Sequence, residues 1–397
     1  MHRRSAFFVV AVALGVAACA ESPSAPPQEA QVQAGPAPLL QVQRARGRAV
    51  PDQYIVVFTD AVTDPDGESD RVVRQRGGRR LHAYRGALRG FAAQLSPAAV
   101  EALRSDPRIA AIEEDQEYSI EVTQNMDAAG DPWGIDRIDE VDLPLSGTYT
   151  YTTSGAGVRV YIIDTGLRTT HSQFGGRAST VYGSADCHGH GTHVAGTVGG
   201  STYGVAKNAL LRGVRVLNCQ GSGTTSGIIA GIDWVRLNHI KPAVANLSLG
   251  GGLSSSLNTA VNNLAAAGVF VAVAAGNNNG NACNNSPASA TGVFSTASST
   301  RTDAKSSFSN WGSCVEGYAP GSAIKSAWYT SNTATNTISG TSMASPHVAG
   351  VAALYKSANG DASQSTITSF IVNNATLNHI SGNPSGTPNR LLFKSTL

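Results

Sequence analysis

The feature of the sequence that most constrains the fold is a series of short apolar runs that alternate with helix patterns. The runs VRVYIID, AVANLSL and VFVAVAAG are typical of strands buried on both faces, and GIIAGIDWVRLN and LNTAVNNLAAAG between them are typical of helices. This alternation predicts βαβ units, and therefore an α/β domain with a mainly parallel sheet between two layers of helices. Ligands of such folds bind beyond the carboxyl ends of the strands, so polar residues at those ends are the candidates for chemistry.

The chain divides into four parts by composition and pattern. We expect an export signal over residues 1–20 and a Pro/Ala/Gln-rich linker over residues 21–50. Residues 51–121 predict a small α+β module with the order β–β–α–β, and residues 122–397 predict the large α/β domain. A chain of 397 residues is long enough for one large domain and one smaller unit.

The N-terminal signal sequence is compatible with two modes of cleavage. Arg3 and Arg4 precede the apolar run AFFVVAVALGVAA, which is too short for a membrane-spanning helix. If VAAC is a lipoprotein signal, Cys19 is lipidated and anchors the protein at the cell envelope; ordinary cleavage after Ala20 releases it. Both modes of cleavage take the protein out of the cytoplasm, and we expect a secreted protein that meets a membrane only through a lipid on Cys19.

The charge balance gives no basis for a nucleic-acid partner. The net charge is +2, which is too small to attract nucleic acid or an anionic membrane. The basic stretch RVVRQRGGRRLHAYRGALRG in the first third of the chain is interpreted as a solvated face of a detachable segment.

The five cysteines suit an exported protein, in which disulfides persist. Without Cys19 an even set of four remains, Cys187, Cys219, Cys283 and Cys314, and four cysteines allow three connectivities. The residues alone do not choose among the three.

The stretch DCHGHGTHVAG contains Asp186, Cys187, His188, His190 and His193 within a few residues. It admits three interpretations: a zinc cluster, one catalytic base with two bystanders, or a polar loop without chemistry. The rest of the sequence favours the catalytic base, because a carboxylate and a serine occur in matching contexts elsewhere.

Three polar residues stand where the chemistry of an α/β fold is expected. Asp164 ends the strand VYIID, His190 lies where a glycine turn enters a helix, and Ser342 lies at a second turn of this kind in SGTSMASPHVAG. A serine needs a base to become a nucleophile, and the base needs a carboxylate that holds its tautomer. Asn277, which follows the strand VFVAVAAG, supplies an amide donor for the oxyanion of a tetrahedral intermediate.

The motifs YIIDTG, HGTHVAG, AAGN and GTSMASPHVAG, in this order, resemble those of the subtilisin-like serine proteases. The wider chain is similar to the proteinase K subgroup, including aqualysin, through PWGIDRID, YGVAKNALLRGVRVL, PAVANLSLGGG and TPNRLLF. The module with YIVVF, GFAAQLS and IEEDQ resembles the inhibitory propeptide of that family. The resemblance implies a subtilisin-like three-layer fold preceded by a small α+β inhibitory propeptide.

The resemblance also assigns roles to individual residues. It implies a triad of Asp164, His190 and Ser342, with Asn277 as oxyanion donor. It implies that the substrate backbone pairs with an edge segment, Gly221, Ser222 and Gly223. It also implies two walls of the pocket for the P1 side chain: one is Ser248, Leu249 and Gly250, and the other is Ala274, Ala275 and Gly276. The small residues of these walls favour a broad preference for apolar or aromatic P1 residues.

Disulfides and calcium follow from the same resemblance. Relatives bridge their cysteines in sequential pairs, which implies Cys187–Cys219 and Cys283–Cys314. The resemblance implies one structural calcium site, with Thr291, Val293 and Glu316 as ligands. An acidic turn with Asp136, Asp139 and Glu140 suggests a second calcium site, because calcium prefers oxygen ligands.

The sequence thus predicts a secreted serine endopeptidase that acts on proteins or peptides through an acyl-enzyme. It is made as a self-processing precursor that is cleaved near residues 120–125, with its own propeptide as inhibitor, and we expect a monomer. The alternatives are an esterase, which the absence of G-x-S-x-G disfavours, and an inert binding protein, which the four filled chemical positions disfavour.

Overall fold

The computed structural model describes residues 35–42, 48–119 and 132–397, and Pro36–Leu397 form one compact unit. The predicted signal, Cys19 and the predicted cleavage region at 120–125 lie outside the described residues. No helix in the described ranges is long and apolar enough to cross a membrane.

The N-terminal module is a sheet with two helices on one face. Its strands and helices in chain order are β1 Leu39–Leu40, β2 Arg48–Phe58, α1 Pro65–Arg76, β3 Arg79–Tyr84, β4 Gly90–Gln94, α2 Pro97–Arg104 and β5 Ile109–Ser119. The sheet order is β1-β5-β2-β4-β3, in which only β1 runs parallel to its neighbour. Ser96 caps α2 through the Ala99 backbone N–H, with Pro97 in the first turn, as the sequence predicts.

The predicted linker of residues 21–50 differs from the structure at its C-terminal end. Leu39 and Leu40 pair with β5, and β2 already begins at Arg48. Ala37 and Val42 are buried. The Ala37 N–H donates to the Arg104 carbonyl, and the Val42 N–H donates to a Glu114 carboxylate oxygen at 2.9 Å. The sheet of the module therefore takes in residues that composition alone assigns to a linker.

The large domain follows with alternating strands and helices. Its elements in chain order are α3 Trp133–Arg137, β6 Arg159–Asp164, β7 Ala178–Tyr182, α4 His190–Gly199, β8 Leu210–Arg215, β9 Ser222–Thr224, α5 Thr225–Asn238, β10 Ala243–Leu247, β11 Gly251–Gly252, α6 Ser255–Ala266, β12 Phe270–Ala274, β13 Asn285–Ser286, β14 Phe294–Ser299, β15 Gly317–Pro320, β16 Ile324–Ala327, β17 Thr335–Ile338, α7 Thr341–Asn359, α8 Gln364–Asn374, β18 Thr376–Leu377 and β19 Arg390–Leu391.

The central sheet has the order β18-β19-β15-β14-β12-β10-β6-β8-β7. Every neighbouring pair in it is parallel except β18 with β19. The three apolar runs of the sequence form β6, β10 and β12 at its centre, which agrees with strands buried on both faces.

Alternate residues of these central strands face opposite helix layers. Val160 and Ile162 of β6 join the apolar cluster that contains α4 and α7, whereas Tyr161 and Ile163 join the cluster that contains α5 and α6. The three-layer arrangement is thus a direct result of strands that are apolar on both faces.

The second face of the module's sheet packs on the large domain. Ile55, Tyr84 and Ala92 of the module belong to the same apolar cluster as Ile228 and Ile232 of α5. The helices α1 and α2 cover the opposite face of the module through a separate cluster. The module therefore seals the outer side of α5 and α6 against water.

Candidate active site

The carboxyl ends of the central strands supply the first functional group. Asp164 is the last residue of β6, and its carboxylate accepts from the Thr165 backbone N–H at 2.7 Å. His190 Nδ1 lies 2.8 and 2.9 Å from the two carboxylate oxygens, and both side chains are fully buried. Because an ionised carboxylate only accepts, the proton of the ring is on Nδ1, and Nε2 presents a lone pair.

His190 is the first residue of α4, and the side chain of Asp186 organises the turn that precedes it. One oxygen of Asp186 accepts from the backbone N–H groups of His188 and Gly189, and the other accepts from the N–H and hydroxyl of Thr192. These groups include backbone donors that a helix start leaves unpaired. Gly189 has φ +111°, a conformation that glycine adopts readily.

The other two histidines of this stretch do not join a metal site. His193 is buried inside α4 with Nε2 2.9 Å from the Ile324 carbonyl, and burial lowers its pKa to about 3. His188 is half-buried, and its Nδ1 accepts from the His190 N–H at 3.3 Å. Within the parts of the chain that the structure describes, no group of three or more His, Cys, Asp or Glu side chains is placed to hold a metal ion.

Ser342 is the second residue of α7 and lines a cleft that also contains Asn277. Its Oγ donates to the Ser248 carbonyl at 3.2 Å. His190 Nε2 is buried and has no hydrogen-bond partner among the described residues. The nucleophile candidate and the base candidate are thus not hydrogen-bonded to each other in this form of the protein.

Asn277 follows β12 and is held by a residue that the sequence analysis did not single out. Its Oδ1 accepts from both the N–H and the hydroxyl of Thr341, each at 2.8 Å. The Thr341 hydroxyl in turn accepts from the Gly276 N–H at 3.0 Å. With its oxygen turned to Thr341, the amide directs its nitrogen the other way, so Thr341 sets the orientation of Asn277. No local motif around Thr341 indicates this contact in the sequence.

The cleft contains most of the residues predicted to contact substrate. Ser222, Leu249, Gly250, Ala274, Ala275 and Gly276 line it together with Asn277 and Ser342. Gly223 lies in β9 and pairs with Tyr118, and Gly221 precedes that strand with φ +74°. The hydroxyl of Ser248 donates to the Ser342 carbonyl at 2.7 Å, so that side chain bonds to the helix that carries Ser342.

The last strand of the module enters the cleft. β5 pairs antiparallel with β9, with Tyr118 opposite Gly223. Tyr118 is buried, and its hydroxyl donates to the Gly252 carbonyl at 2.9 Å. An extended chain is therefore held by main-chain pairing and one aromatic side chain, which is the pattern of peptide recognition by strand addition.

Two disulfides are present, Cys187–Cys219 and Cys283–Cys314, which is the sequential pairing that the resemblance implied. The first connects the turn before His190 to the segment just before β9. It therefore ties the base candidate's loop to the edge strand of the cleft.

The acidic turn proposed as a second calcium site does not fit a calcium ion. The Asp136 carboxylate accepts from the Ser146 hydroxyl and the Gly147 N–H. Asp139 accepts from Thr150 and forms an ion pair with Lys394 at 2.8 Å, while the contact at Glu140 is its carbonyl, which accepts from Arg137. The carboxylates of Asp136 and Asp139 thus have separate partners, and that of Asp139 is already paired with an ammonium group. Among the described residues, no group of three or more His, Cys, Asp or Glu side chains is placed to hold a metal ion. The prediction of Asp136, Asp139 and Glu140 as ligands is corrected accordingly.

The other predicted calcium ligands have a different environment. Glu316 Oε2 accepts from the Ser295 N–H at 2.5 Å, which places this carboxyl beside the chain that follows Thr291 and Val293. Burial raises the pKa of Glu316 to about 8. The charge of Arg390 acts in the opposite direction and favours the carboxylate form. Calcium binding by Glu316, Thr291 and Val293 stays a prediction.

Comparison with known families and proteins agrees with this geometry. Residues 155–391 match the profile described as "Subtilase family", and residues 53–121 match "Peptidase inhibitor I9". The chain is 45% identical to "Extracellular serine proteinase" of Thermus sp. (strain Rt41A) over 98% of this chain and 99% of that protein. It is 43% identical to "Proteinase R" of Parengyodontium album, over 91% of this chain and 92% of that protein.

A solved structure shows the same fold. "Crystal structure of a cold adapted subtilisin-like serine proteinase" superposes with a TM-score of 0.65 at 51% identity, covering 68% of this chain and 99% of that one. The family match covers more than half of the chain, and the fold, the buried Asp–His pair and the I9 module agree with it. The chain belongs to the subtilase family and is a secreted serine endopeptidase of the proteinase K type, preceded by an I9 propeptide.

Proposed function

We propose that Asp164, His190 and Ser342 hydrolyse peptide bonds through an acyl-enzyme, with Asn277 as oxyanion donor. The observation that carries the proposal is the buried contact of 2.8 Å between His190 Nδ1 and Asp164. His190 begins α4, which shares an apolar cluster with α7, the helix whose second residue is Ser342. The contact with Asp164 leaves the Nε2 lone pair as the acceptor for a proton.

The reaction begins when the Ser342 hydroxyl turns from the Ser248 carbonyl to His190 Nε2. Ser342 Oγ attacks the peptide carbonyl while Nε2 takes its proton, and Asp164 stabilises the imidazolium that forms. The peptide C–N bond then breaks as Nε2 gives the proton to the leaving amine, which leaves an ester on Ser342 Oγ. Nε2 next takes a proton from water as the water oxygen attacks the ester, and this proton passes to Ser342 Oγ when the acid product leaves. The Asn277 amide and the Ser342 N–H hold the oxyanion, and loss of one such donor costs about 3 kcal/mol.

The walls of the cleft support a broad preference for apolar or aromatic P1 residues. Leu249, Gly250, Ala274, Ala275 and Gly276 bring no charged side chain to it. Apolar P1 side chains of many shapes are stabilised by burial against such walls, whereas a charged P1 side chain finds no partner there.

The module is proposed to be an intramolecular inhibitor that the enzyme removes by its own cleavage near residues 120–125. The Asp115 carboxylate accepts from the backbone N–H and the hydroxyl of Ser226 at the start of α5. Glu113 does the same at the start of α6, where it accepts from the Ser256 N–H. In the reverse direction, Asp233 of α5 accepts from the backbone N–H groups of Gly86 and Ala87.

These contacts join the module to the enzyme domain at β5 and at the turn between β3 and β4. Carboxylates at helix N-termini are stabilised by unpaired backbone donors and by the helix dipole. With β5 paired to β9, they hold the segment that leads to the cleavage region across the cleft. We further propose that the chain acts as a monomer, that Glu316, Thr291 and Val293 bind one calcium ion, and that a membrane contact requires lipid on Cys19.

The proposal is tested with Ser342→Ala in the full-length chain. We expect casein hydrolysis to fall by on the order of 10⁶-fold and the precursor to remain uncleaved, because the nucleophile is absent. Ser357→Ala is the matched control, since Ser357 lies on the same helix and its hydroxyl donates to the Ala156 carbonyl. Full hydrolysis by the Ser342→Ala protein would exclude Ser342 as the nucleophile.

A further inference from the structure

The helix that carries Ser342 contains a proline, Pro346, at the fourth position after it. In an α-helix the backbone N–H of residue 346 would donate to the carbonyl of residue 342, and proline has no N–H. The Ser342 carbonyl is thus left without its helical donor. The hydroxyl of Ser248 replaces it at 2.7 Å, across 94 residues of sequence.

The Ser248 hydroxyl is itself part of a buried chain of hydrogen bonds. Asn246 Nδ2 donates to Ser248 Oγ at 2.8 Å, and Ser345 Oγ donates to Asn246 Oδ1 at 2.7 Å. The direction of every bond is determined, because the Ser342 carbonyl can only accept and Ser248 must therefore receive its own bond from the amide nitrogen. Asn246, Ser248 and Ser345 are completely buried.

The chain connects the nucleophile's helix to the middle of the central sheet. Asn246 lies in β10, opposite Ile162 of β6 and Ala272 of β12. β6 ends in Asp164, and β12 leads to Asn277. The strand that holds the Ser342 peptide group is therefore the one between the strands that carry the carboxylate and the oxyanion donor.

The contact between Ser248 and Ser342 is reciprocal. Ser248 Oγ donates to the Ser342 carbonyl, and Ser342 Oγ donates to the Ser248 carbonyl. The first bond restrains the peptide group that follows Ser342, and with it the direction of the Cα–Cβ bond. The second holds Ser342 Oγ at the Ser248 carbonyl, from which a rotation about the Cα–Cβ bond of Ser342 turns it towards His190.

We propose that Asn246, the Ser248 hydroxyl and Ser345 form a positioning relay for Ser342, which rests on the proposed role of Ser342 as nucleophile. The relay acts through the Ser342 backbone and does not touch the substrate. Its loss lets the start of α7 rotate, which displaces Oγ from His190, and an error of about 1 Å in such a contact costs up to about 100-fold in rate.

The test compares mature Ser248→Ala, Asn246→Ala and the double variant on a chromogenic peptide. Precursors that process slowly are cleaved with a trace of unaltered enzyme, and burst titration counts the active sites. We expect kcat per active site to fall about 10- to 30-fold in Ser248→Ala, with KM within about twofold. The double variant is expected to equal Ser248→Ala, because both changes interrupt the same relay.

Ser298→Ala is the matched control, since Ser298 is an equally buried serine in the same sheet whose hydroxyl bonds to Ser306. We expect its loss of thermal stability to resemble that of Ser248→Ala while its kcat stays unchanged. An unchanged kcat in Ser248→Ala, or losses that multiply in the double variant, would overturn the relay. Neither result touches the nucleophile assignment, which Ser342→Ala tests separately.

Discussion

Two buried histidines beside the candidate triad make the stability of the fold depend on pH. His193 and His347 are both fully buried, and burial lowers their pKa values to about 3 and about 4. Burial makes the neutral ring of His347 the form that the fold accommodates, although the bond from its Nδ1 to the Met343 carbonyl at 2.9 Å opposes this effect on the pKa in part. Each ring takes up a proton near pH 6.5 only in the unfolded chain.

We predict that the free energy of unfolding falls as the pH drops from about 6.5 to about 4. A folded-state pKa below the unfolded value means that the unfolded chain binds more protons in this interval, at about 1.4 kcal/mol per pH unit for each histidine. Glu316, with a pKa of about 8, contributes with the opposite sign. The measurement is urea unfolding of the Ser342→Ala chain at several pH values, with and without His347→Gln. The substitution should reduce the change in the free energy of unfolding by about 1.4 kcal/mol per pH unit. Equal slopes would show that His347 is protonated in the folded protein.

At the residue scale, the chemical identity of the triad candidates was predictable but their supports were not. Asp164, His190 and Ser342 each stand in a local motif that names the residue. Thr341 orients Asn277 from 64 positions away, and the glycine turn around it shows no trace of that contact. The direction of a buried hydroxyl depends on what lies across the fold.

The disulfides act at the scale of the secondary-structure elements. Each closes a loop of similar length, with sequence separations of 32 and 31 residues. Such a loop restricts the unfolded chain, and we predict that Cys187→Ser/Cys219→Ser lowers the free energy of unfolding by about 3 kcal/mol. Cys283→Ser/Cys314→Ser provides the comparison in urea unfolding of the Ser342→Ala chain, with an equal loss expected. A negligible loss in either double variant contradicts the estimate from loop closure.

The elements with strong periodicity were predictable, and the short or edge elements were not. The strands β6, β10 and β12 are buried on both faces, and their continuous apolar runs predict this from the sequence. β1 contains only Leu39 and Leu40, which is too short for any pattern, and its pairing partner β5 lies some 70 residues later. Composition therefore placed these residues in a linker, while backbone pairing placed them in the sheet.

At the scale of the whole molecule, two carboxylates of the propeptide hold it on the enzyme domain. Asp115 accepts from the Ser226 N–H at the start of α5, and Glu113 accepts from the Ser256 N–H at the start of α6. We predict that Asp115→Asn with Glu113→Gln weakens the binding of the cleaved propeptide about tenfold, because each charge at a helix start is worth up to about 1 kcal/mol. The readout is the time course of propeptide release after cleavage, measured by gel filtration.

Glu101→Gln is the control for this experiment, since Glu101 lies on α2 and pairs with Arg104 of the same helix. It should release its propeptide at the unaltered rate. If the double variant also releases at that rate, the two carboxylates do not contribute to the association, which then rests on the apolar face and the remaining hydrogen bonds of the module.

The sequence by itself determined the alternation of buried strands and helices, and its motifs, through their resemblance to a known family, indicated the triad candidates and the propeptide. These features are encoded in contiguous residues, whose periodicity and motifs report on their own local structure. The tertiary structure alone decided which hydroxyl replaces the donor missing at Pro346, which helix starts receive Asp115 and Glu113, and that Asp139 meets Lys394. Those choices join residues far apart in the chain, and a buried polar group takes as its partner whichever donor or acceptor the packed fold brings within reach.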